Sequence, residues 1–435
     1  MADTNTPAQG IPSPFPPPLQ PGPEYGNPAD GIQQPDPATV GVTVQEEPQE
    51  NPEPTPAPTP APAEQQEEQN QGGPAPAQAS GGQQTPASQQ PQKPKFTLTQ
   101  AHTYFPAGQF DREVQAFQTA GNLMTGYKTL DRIQALYPGF YCLGAISSLG
   151  KTTFCHQMAD QIAASGQWVL YISLEQSHFE LYSKSLARGF YKTNRYDTRK
   201  NNRPSTYPTP SSMDIRRGLT SSCPAEMAAQ IDFYMQTNQG RLCIIDGAFS
   251  ATVEDIRGLT EGLINQMGVK PVVIVDYLQI IAPSLVNGRI PDTKTSIDHI
   301  VHSLKVLQRD YDLAVIAISS LNRQNYLTPI DFESFKESGG IEYTADVICG
   351  LQLSLLNDKE FYHHYDNTGK QKGETSLKEK REKVMQAKAS SPRAIDLVCL
   401  KNRYGVSSYT VNFEYYPASD FFCAPYDPND PDTWD

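Results

Sequence analysis

The run Ala145-Ile146-Ser147-Ser148-Leu149-Gly150-Lys151-Thr152-Thr153 carries residue types that can hold a polyphosphate. A short apolar stretch, Phe140-Tyr141-Cys142-Leu143, precedes it and predicts a strand. Phe154 to Ala164 follows with apolar spacing that predicts a helix. A loop at such a junction offers backbone N–H groups from Ser147, Ser148, Leu149, Gly150, Lys151 and Thr152 to phosphate oxygens. The positive end of the helix dipole adds to them. Lys151 would reach the β/γ oxygens, and the Thr152 hydroxyl would ligate Mg²⁺. Thr153 completes the nucleotide-binding run. The spacing departs from G-x-x-x-x-G-K-[ST] in one place, because Ala145 takes the first glycine position and the glycine stands at Gly144.

Three carboxylates close apolar strands. Asp276 follows Val272-Val273-Ile274-Val275 and is placed to hold Mg²⁺ directly or through water. Asp246, after Leu242-Cys243-Ile244-Ile245, competes for that role and ranks second, because its run is shorter and a glycine follows it. Glu175 ends Trp168–Leu174, where a carboxylate can orient and deprotonate an attacking water. A helix-capping or solvated acid is the alternative for Glu175.

These residues need a scaffold to bring them together. Further strands are predicted at Ala314–Ser319, Val347–Leu353, Ile395–Leu400 and Tyr409–Tyr415. Helices are predicted at Phe179–Phe190, Met227–Thr237, Val253–Met267, Ile297–Tyr311 and Lys378–Lys388, with 191–212 a polar, basic surface excursion. Strand and helix alternate through most of this span, which implies an α/β fold with a doubly wound, mostly parallel sheet flanked by helices. Its site belongs at the carboxyl ends of the strands.

Residues 1–95 hold 23 of the 38 prolines, and before Lys93 there are eleven acids and no lysine or arginine. Such a segment buries too little apolar surface to offset chain entropy, so 1–95 is expected to be a disordered acidic tail. It carries most of the formal charge of −13, leaving −2 from Lys93 onward, so the acidity does not exclude a nucleic-acid partner. Residues 96–123 are expected to be a linker with one short amphipathic helix, 124–418 the catalytic domain with a charged insertion at 357–393, and 419–435 an acidic tail. Seven cysteines without Cys-x-x-Cys spacing, and no apolar run of about 18 residues, point to a reduced cytoplasmic protein with no structural zinc and no membrane partner.

Six segments in order resemble the C-terminal ATPase domain of DnaB-type replicative helicases. They are the phosphate loop, Ser173-Leu174-Glu175, Ile274-Val275-Asp276-Tyr277-Leu278-Gln279, Ser319-Ser320-Leu321-Asn322-Arg323, Lys336-Glu337-Ser338-Gly339-Gly340-Ile341-Glu342 with Ala345-Asp346, and Lys401-Asn402-Arg403-Tyr404-Gly405. The resemblance covers Thr125 to Phe413. It implies a RecA-like fold, ATP and Mg²⁺ as ligands, and a homo-oligomeric ring, usually a hexamer, with ATP between subunits.

By the same resemblance Glu175 is the catalytic base, Arg403 an arginine finger and Lys401 its companion, both acting on the next subunit's γ-phosphate. Lys336, Glu337 and Gly339 match the loop that tracks single-stranded DNA, and Arg289 joins them unless it is an ordinary solvated arginine. Ser320 stands where the family has a glutamine that senses the γ-phosphate. Lys336 replaces an arginine of the pattern, keeping charge but losing the bidentate fork. Residues 1–123 do not resemble the family's helical N-terminal domain, although the short helix suits a linker that docks on a neighbour. The implied activity is an ATP-dependent helicase translocating on single-stranded DNA in replication, of a phage or mobile element, with a primase or loader as a further partner. The alternatives are a RecA-superfamily recombination mediator or regulator that binds DNA without unwinding it, and a non-catalytic assembly protein controlled by ATP.

Overall fold

The computed structural model describes residues 108–120, 123–133, 136–246, 250–284, 289–322, 326–335, 338–365 and 369–426. Expectations for the tail 1–95, for the linker before 108, for residues 427–435 of the C-terminal tail, and for Arg323, Lys336 and Glu337 fall outside the described residues. The strands are β1 Gly139–Ala145, β2 Val169–Ser173, β3 Leu242–Ile245, β4 Val272–Asp276, β5 Ala314–Ser320, β6 Val347–Leu353, β7 His363–Tyr365, β8 Gln371–Glu374, β9 Arg393–Asn402, β10 Thr410–Tyr416 and β11 Phe421–Cys423. The helices are α1 Gln109–Ala120, α2 Lys128–Asp131, α3 Lys151–Ala164, α4 His178–Asn201, α5 Ser212–Arg216, α6 Pro224–Asn238, α7 Val253–Met267, α8 Thr293–Tyr311, α9 Ser338–Thr344, α10 Lys359–Tyr362 and α11 Leu377–Ala389.

Nine strands form one sheet in the order β11-β10-β9-β6-β1-β5-β4-β2-β3. Strands β3, β2, β4, β5, β1 and β6 run parallel, and β9, β10 and β11 continue the sheet antiparallel. Every residue of β1, β2, β4 and β6 is buried, as required of parallel strands covered on both faces. From β1 the chain moves outward to β2 and β3, returns through β4 and β5, and then passes to the other side of β1 at β6. With right-handed crossovers this winding puts α3, α4 and α6 on one face and α7, α8 and α9 on the other. Packing of α3, α4 and α6 on one another, and of α8 on both α7 and α9, agrees. The fold is the doubly wound, mostly parallel, RecA-like sheet expected from the sequence.

Two expectations need correction. Helix α4 does not stop at Phe190 but continues to Asn201, through part of the stretch read as a surface excursion. A capping box of Ser177 and Glu180 opens it, and Asn202 closes it in the left-handed conformation (φ 48°). Its outer turns lack buried residues, so no apolar periodicity marks them. The first part of the segment assigned to the C-terminal tail, 419–426, is folded onto the domain, because Phe421–Cys423 pairs with Glu414–Tyr416 as the edge strand β11. Phe422 packs edge-on to Phe154 of α3 at 5.3 Å and stacks on Tyr415 at 4.2 Å. The Gln157 amide donates to Phe422 O at 2.8 Å and accepts Phe422 N–H at 2.9 Å. Asp420 accepts from Thr153 Oγ1 at 3.1 Å and from Lys184 Nζ at 2.6 Å, while its carbonyl takes Arg188 Nε at 2.9 Å. These contacts clamp the last strand onto α3, which leads out of the nucleotide loop, and onto α4 beside it.

The short helix expected within 96–123 is α1, which exposes Phe110 and Val114. The insertion 357–393 contains α10, the β7–β8 hairpin and α11, whose Val384 is buried. Among the described residues no helix is long and apolar enough to cross a membrane. Nor does any group of three or more His, Cys, Asp or Glu among them form a metal-ligating cluster.

Candidate nucleotide-binding site

Parallel register gathers the candidate residues at one end of the sheet. Ala145, the last residue of β1, lies opposite Ser320 of β5, and Ser173 of β2 lies opposite Asp276 of β4. The loop 146–150 leaves β1 in the middle of this row and turns directly into α3. Leu149 is fully buried and anchors it. Ser148 (φ 70°) and Gly150 (φ 84°) adopt left-handed backbone, which reverses successive peptide groups into a concave anion cradle. Gly150 is required for space as well as for conformation, since a Cβ there would stand 3.0 Å from the rings of Phe422 and Tyr415. Ser147 and Ser148 are exposed at the loop's tip.

Lys151 opens α3, its ammonium 5.1 Å from the centre of the Tyr277 ring. Thr152 follows, nearly buried beneath the loop. Thr153 faces the other way, its hydroxyl used by Asp420 and Lys184, so only its backbone is left for a nucleotide. Asp276 is completely buried. Tyr171 OH donates to its Oδ2 at 3.0 Å, while its Oδ1 has no hydrogen-bond partner. Burial pushes the Asp276 carboxyl above its ordinary range, against the opposing pull of the Thr152 and Tyr171 hydroxyls and the Lys151 ammonium. A buried carboxylate oxygen without a donor, beside a threonine hydroxyl, fits a hydrated divalent cation. Glu175 is exposed two residues beyond Ser173, and its charge is felt at both Asp276 and Tyr277. A turn pinned by Ser173 Oγ donating to Gln176 O at 2.5 Å holds it there.

Asp246, the competing carboxylate, has other work. It accepts from His178 N–H at 2.6 Å and pairs with His178 Nδ1 at 2.9 Å, tying the end of β3 to the start of α4. Hydrogen bonds from His178 hold its carboxyl below the ordinary range. Ser320 gives its N–H to Gln279 Oε1 at 3.1 Å, and Gln279 Nε2 donates to Ser319 Oγ at 2.9 Å. The Gln279 amide thus bridges the loop after Asp276 to the end of β5, a link the sequence did not mark.

Two further residues were not singled out from sequence. Arg393 donates to Ser148 O at 2.8 Å, and Lys388 donates to Ser147 O at 3.4 Å. Lys388 also lies 4.6 Å from the centre of the Tyr326 ring, and burial lowers its ammonium pKa. The end of the charged insertion therefore braces the outer side of the phosphate loop.

The two basic residues of the last motif sit at the opposite end of the sheet. β9 runs antiparallel to β6 from Arg393, near the loop, to Asn402, which lies opposite Val347 at the amino end of β6. Ten extended residues cover ~30 Å, so Arg403 cannot approach the phosphate loop of its own chain. Arg403 is half exposed and donates to Asp346 Oδ1 at 2.8 Å. Lys401 donates to Glu342 O at 2.6 Å, and burial followed by the nearby Arg403 charge lowers its pKa. Of the expected DNA-contacting residues, Arg289 is exposed, and a Cβ placed on Gly339 of α9 would meet open space.

A phosphate cradle, a lysine–threonine pair at the helix start and a buried strand-end aspartate on a RecA-like sheet define a P-loop nucleotide-binding protein. The family model of the DnaB-like helicase C-terminal domain matches residues 122–419, and the chain belongs to that family. It is 29% identical over 253 residues to the replicative DNA helicase DnaB of Pasteurella multocida, an overlap of 56% of this chain and 48% of that protein. The corresponding protein of Geobacillus stearothermophilus is 26% identical over 244 residues, covering 54% of this chain and 48% of that one. The chain spans about half the length of the curated relatives it matches. Among solved structures, a chain described as an ATPase domain aligns with a TM-score of 0.55 at 20% identity, over 73% of this chain and 97% of that one. A DnaB-like replicative helicase, described with its interactions with primase, aligns with a TM-score of 0.54 at 20% identity, over 75% of this chain and 68% of that one. These two likenesses concern the fold.

Proposed function

We propose that this chain is a ring-forming, Mg-ATP-dependent motor that translocates on single-stranded DNA and unwinds duplexes in replication. The observation that carries the reading is the division of one catalytic constellation between the two ends of a single sheet. Lys151, Thr152, Asp276 and Glu175 gather at the carboxyl ends, whereas Arg403 and Lys401 stand at the other end. Only a second copy can bring the two halves together, so ATP belongs between subunits.

In this reading the backbone of 147–152 and the Lys151 ammonium hold the β- and γ-phosphates. Thr152 and Asp276 hold Mg²⁺, which neutralises charge on the transferring phosphoryl group when bound. Glu175 orients the attacking water and accepts its proton. A neighbouring copy's Arg403, with Lys401, stabilises the charge that develops on the γ-phosphate. Gln279 and Ser320 then carry the state of the site toward Arg289 and toward Lys336, Glu337 and Gly339, which grip DNA phosphates without reading sequence. The resemblance of the motifs supports a hexameric ring and a loader, and the structural neighbour described with its interactions with primase supports a primase as partner.

Steady-state ATP hydrolysis with and without single-stranded DNA tests the reading, with Lys151→Ala as the blank, followed by unwinding of a forked duplex. Stimulation by DNA together with unwinding supports the motor. Hydrolysis indifferent to DNA would favour a RecA-superfamily regulator, for which the short Ser320 side chain is the specific argument. Assembly controlled by ATP without hydrolysis would leave a scaffold.

A further inference from the structure

Between Tyr191 and Arg217 there are seven lysines and arginines and only two acids, in a chain of formal charge −13. The structure places most of them on the outer turns of α4. This helix is 24 residues long, about 36 Å at 1.5 Å per residue, and buries nothing beyond Phe190. Lys192, Tyr196 and Arg199 recur at four- and three-residue spacing and so share one face, which Arg203 extends just past the C-cap. All four are exposed, as is the adjacent Lys200. Tyr196 is 64% exposed, with the Lys200 ammonium 5.9 Å from its ring centre. Arg217, at the C-cap of α5, is exposed as well, and α5 packs against α4.

A merely solvated helix face alternates charge sign, because like charges at i,i+4 spacing repel. Here Arg195 and Arg199 stand four apart, and the outer turns hold one acid, Asp197. An exposed tyrosine ring among them adds nothing to the core. Cations at regular spacing around an accessible aromatic face are instead the composition that binds a polyanion bearing flat bases. Stacking on Tyr196 requires an unpaired base, and the ~16 Å from Lys192 to Arg203 suits a few consecutive nucleotides.

We propose that the outer face of α4 binds single-stranded nucleic acid, at a site separate from Gly339 and α9. Helices α4 and α9 cover opposite faces of the sheet, since α4 packs with α3 and α6 whereas α9, which carries Gly339, packs with α8. Resting on the motor reading for its role, the site holds a strand other than the one gripped at Gly339. Helix α4 starts three residues after Glu175, so a strand held at its far end is joined by one rigid element to the hydrolytic carboxylate.

The test uses the full chain and fluorescein-labelled oligothymidine in the absence of nucleotide. Anisotropy is read for the wild type, for R199E/K200E/R203E, for the milder R199Q/K200Q/R203Q, and for Tyr196→Ala. The reversal is expected to weaken binding of a 40-mer at least about tenfold and to flatten the salt dependence of log K by about two units. The glutamine variant should lie between it and the wild type, which guards against misfolding of the reversal. Tyr196→Ala should cost about threefold or more with single strands and little with duplex. Hydrolysis of ATP without DNA should be unchanged in all variants. Unaltered affinity and salt slope would overturn the proposal. So would capture by the wild type, but not by the reversal, of a labelled peptide of residues 46–68 with DNA affinity unaffected, which would give the face to the chain's own acidic segment. Because no ATP is present, failure of the motor reading leaves this assay intact, and loss of fork unwinding with strand binding preserved would count against the motor reading alone.

Discussion

The Arg403 guanidinium donates to Asp346 Oδ1 at 2.8 Å, and the other carboxylate oxygen accepts from Lys305 Nζ at 2.5 Å and Phe140 N–H at 2.8 Å. Arg403 N–H also bonds to Asp346 O at 3.0 Å. Burial pushes the Asp346 carboxyl up, but Lys305, the Phe140 N–H and Arg403 outweigh it and hold it below its ordinary range. Asp346 therefore stays charged and fixes Arg403 at the amino end of β1 and β6. An arginine held half exposed by a buried carboxylate is aimed before any partner arrives, which limits the side-chain entropy lost on docking.

Arg403→Ala is expected to lower kcat for ATP hydrolysis by roughly 10³-fold or more, the size of effect typical of an arginine finger. Asp346→Asn should cost less, because it loosens the arginine without removing it. Mixing Arg403→Ala with Lys151→Ala protein decides whether the finger acts between copies. Hybrid interfaces that combine Lys151 from one copy with Arg403 from the other should recover hydrolysis. Two inactive proteins that stay inactive when mixed would sink the shared-site model.

Asp276→Asn should separate stability from activity. Because the folded-state pKa of this acid is raised, its ionised form is disfavoured by folding, so the carboxylate destabilises the nucleotide-free fold above the ordinary aspartate pKa. Replacing it by an amide is expected to raise the melting temperature of the nucleotide-free protein at neutral pH while reducing hydrolysis to roughly a hundredth or less. The wild type should gain more thermal stability than the variant on adding Mg-ATP. A variant that melts lower than the wild type without nucleotide would show that Asp276 supports the fold instead.

Much of this arrangement was legible because apolar strands announce themselves and each ends on a polar residue. The continuous run from Val272 to Asp276 could only be a buried strand, and its carboxylate could only emerge at one edge. Helix α4 was cut short because Lys192 to Asn201 has no buried face to leave a period in the sequence. The strand Phe421–Cys423 leaves no signal because three strand residues directly after an aspartate and just before Ala424-Pro425 carry no alternation, although Phe422 is fully buried. The rank of Asp276 over Asp246 was readable from run length, but the reason, His178 reaching Asp246, depends on a contact 68 residues away. Long-range polar pairs such as Gln279 with Ser320, or Arg393 with Ser148, leave no local mark at all.

That hidden C-terminal clamp makes its own prediction. Phe422→Ala removes a fully buried ring that contacts Phe154, Tyr415 and the Gly150 turn. A loss of about 3–5 kcal/mol is expected by urea denaturation, and ending the chain after residue 418 should be worse. ATP affinity should fall with it, because the same ring backs the phosphate loop. An unchanged denaturation midpoint on truncation would mean that β11 is dispensable.

His156 should make the domain acid-sensitive. It is wholly buried in α3, its Nε2 lying 2.9 Å from Leu181 O and 2.8 Å from Ser185 Oγ. Burial, aided by Arg188 and Lys184 and only partly opposed by Asp160, pushes its pKa down to about 4. The unfolded chain takes up the proton near 6.5, so stability from this group is complete above that pH and is lost as pH falls toward 4. Linkage gives about 2 kcal/mol lost by about pH 5. His156→Gln keeps an amide donor for Leu181 O but cannot titrate, so its urea midpoint should fall less between about pH 7.5 and pH 5 than that of the wild type. Equal falls in both proteins would show that other groups set the acid sensitivity.

The last prediction concerns how the nucleotide state leaves the site. Ser320 is short, and its backbone rather than its hydroxyl is engaged, by Gln279 Oε1 at 3.1 Å. Gln279 is also bonded to Ser319 Oγ at 2.9 Å and lies in the segment that runs from Asp276 toward Arg289. The amide thus ties the segment after Asp276 to the end of β5, and in the proposed motor it is the element through which DNA binding would reach the nucleotide site. Ser320→Ala is expected to change kcat by less than about threefold, since one neutral hydrogen bond at most is lost. Gln279→Leu keeps the volume but breaks both hydrogen bonds, leaving the Ser320 N–H without its acceptor. It should leave hydrolysis without DNA within about threefold of the wild type and remove most of the stimulation by single-stranded DNA. A variant still stimulated in full would place the coupling elsewhere, and one that loses basal hydrolysis as well would make Gln279 part of the nucleotide site proper.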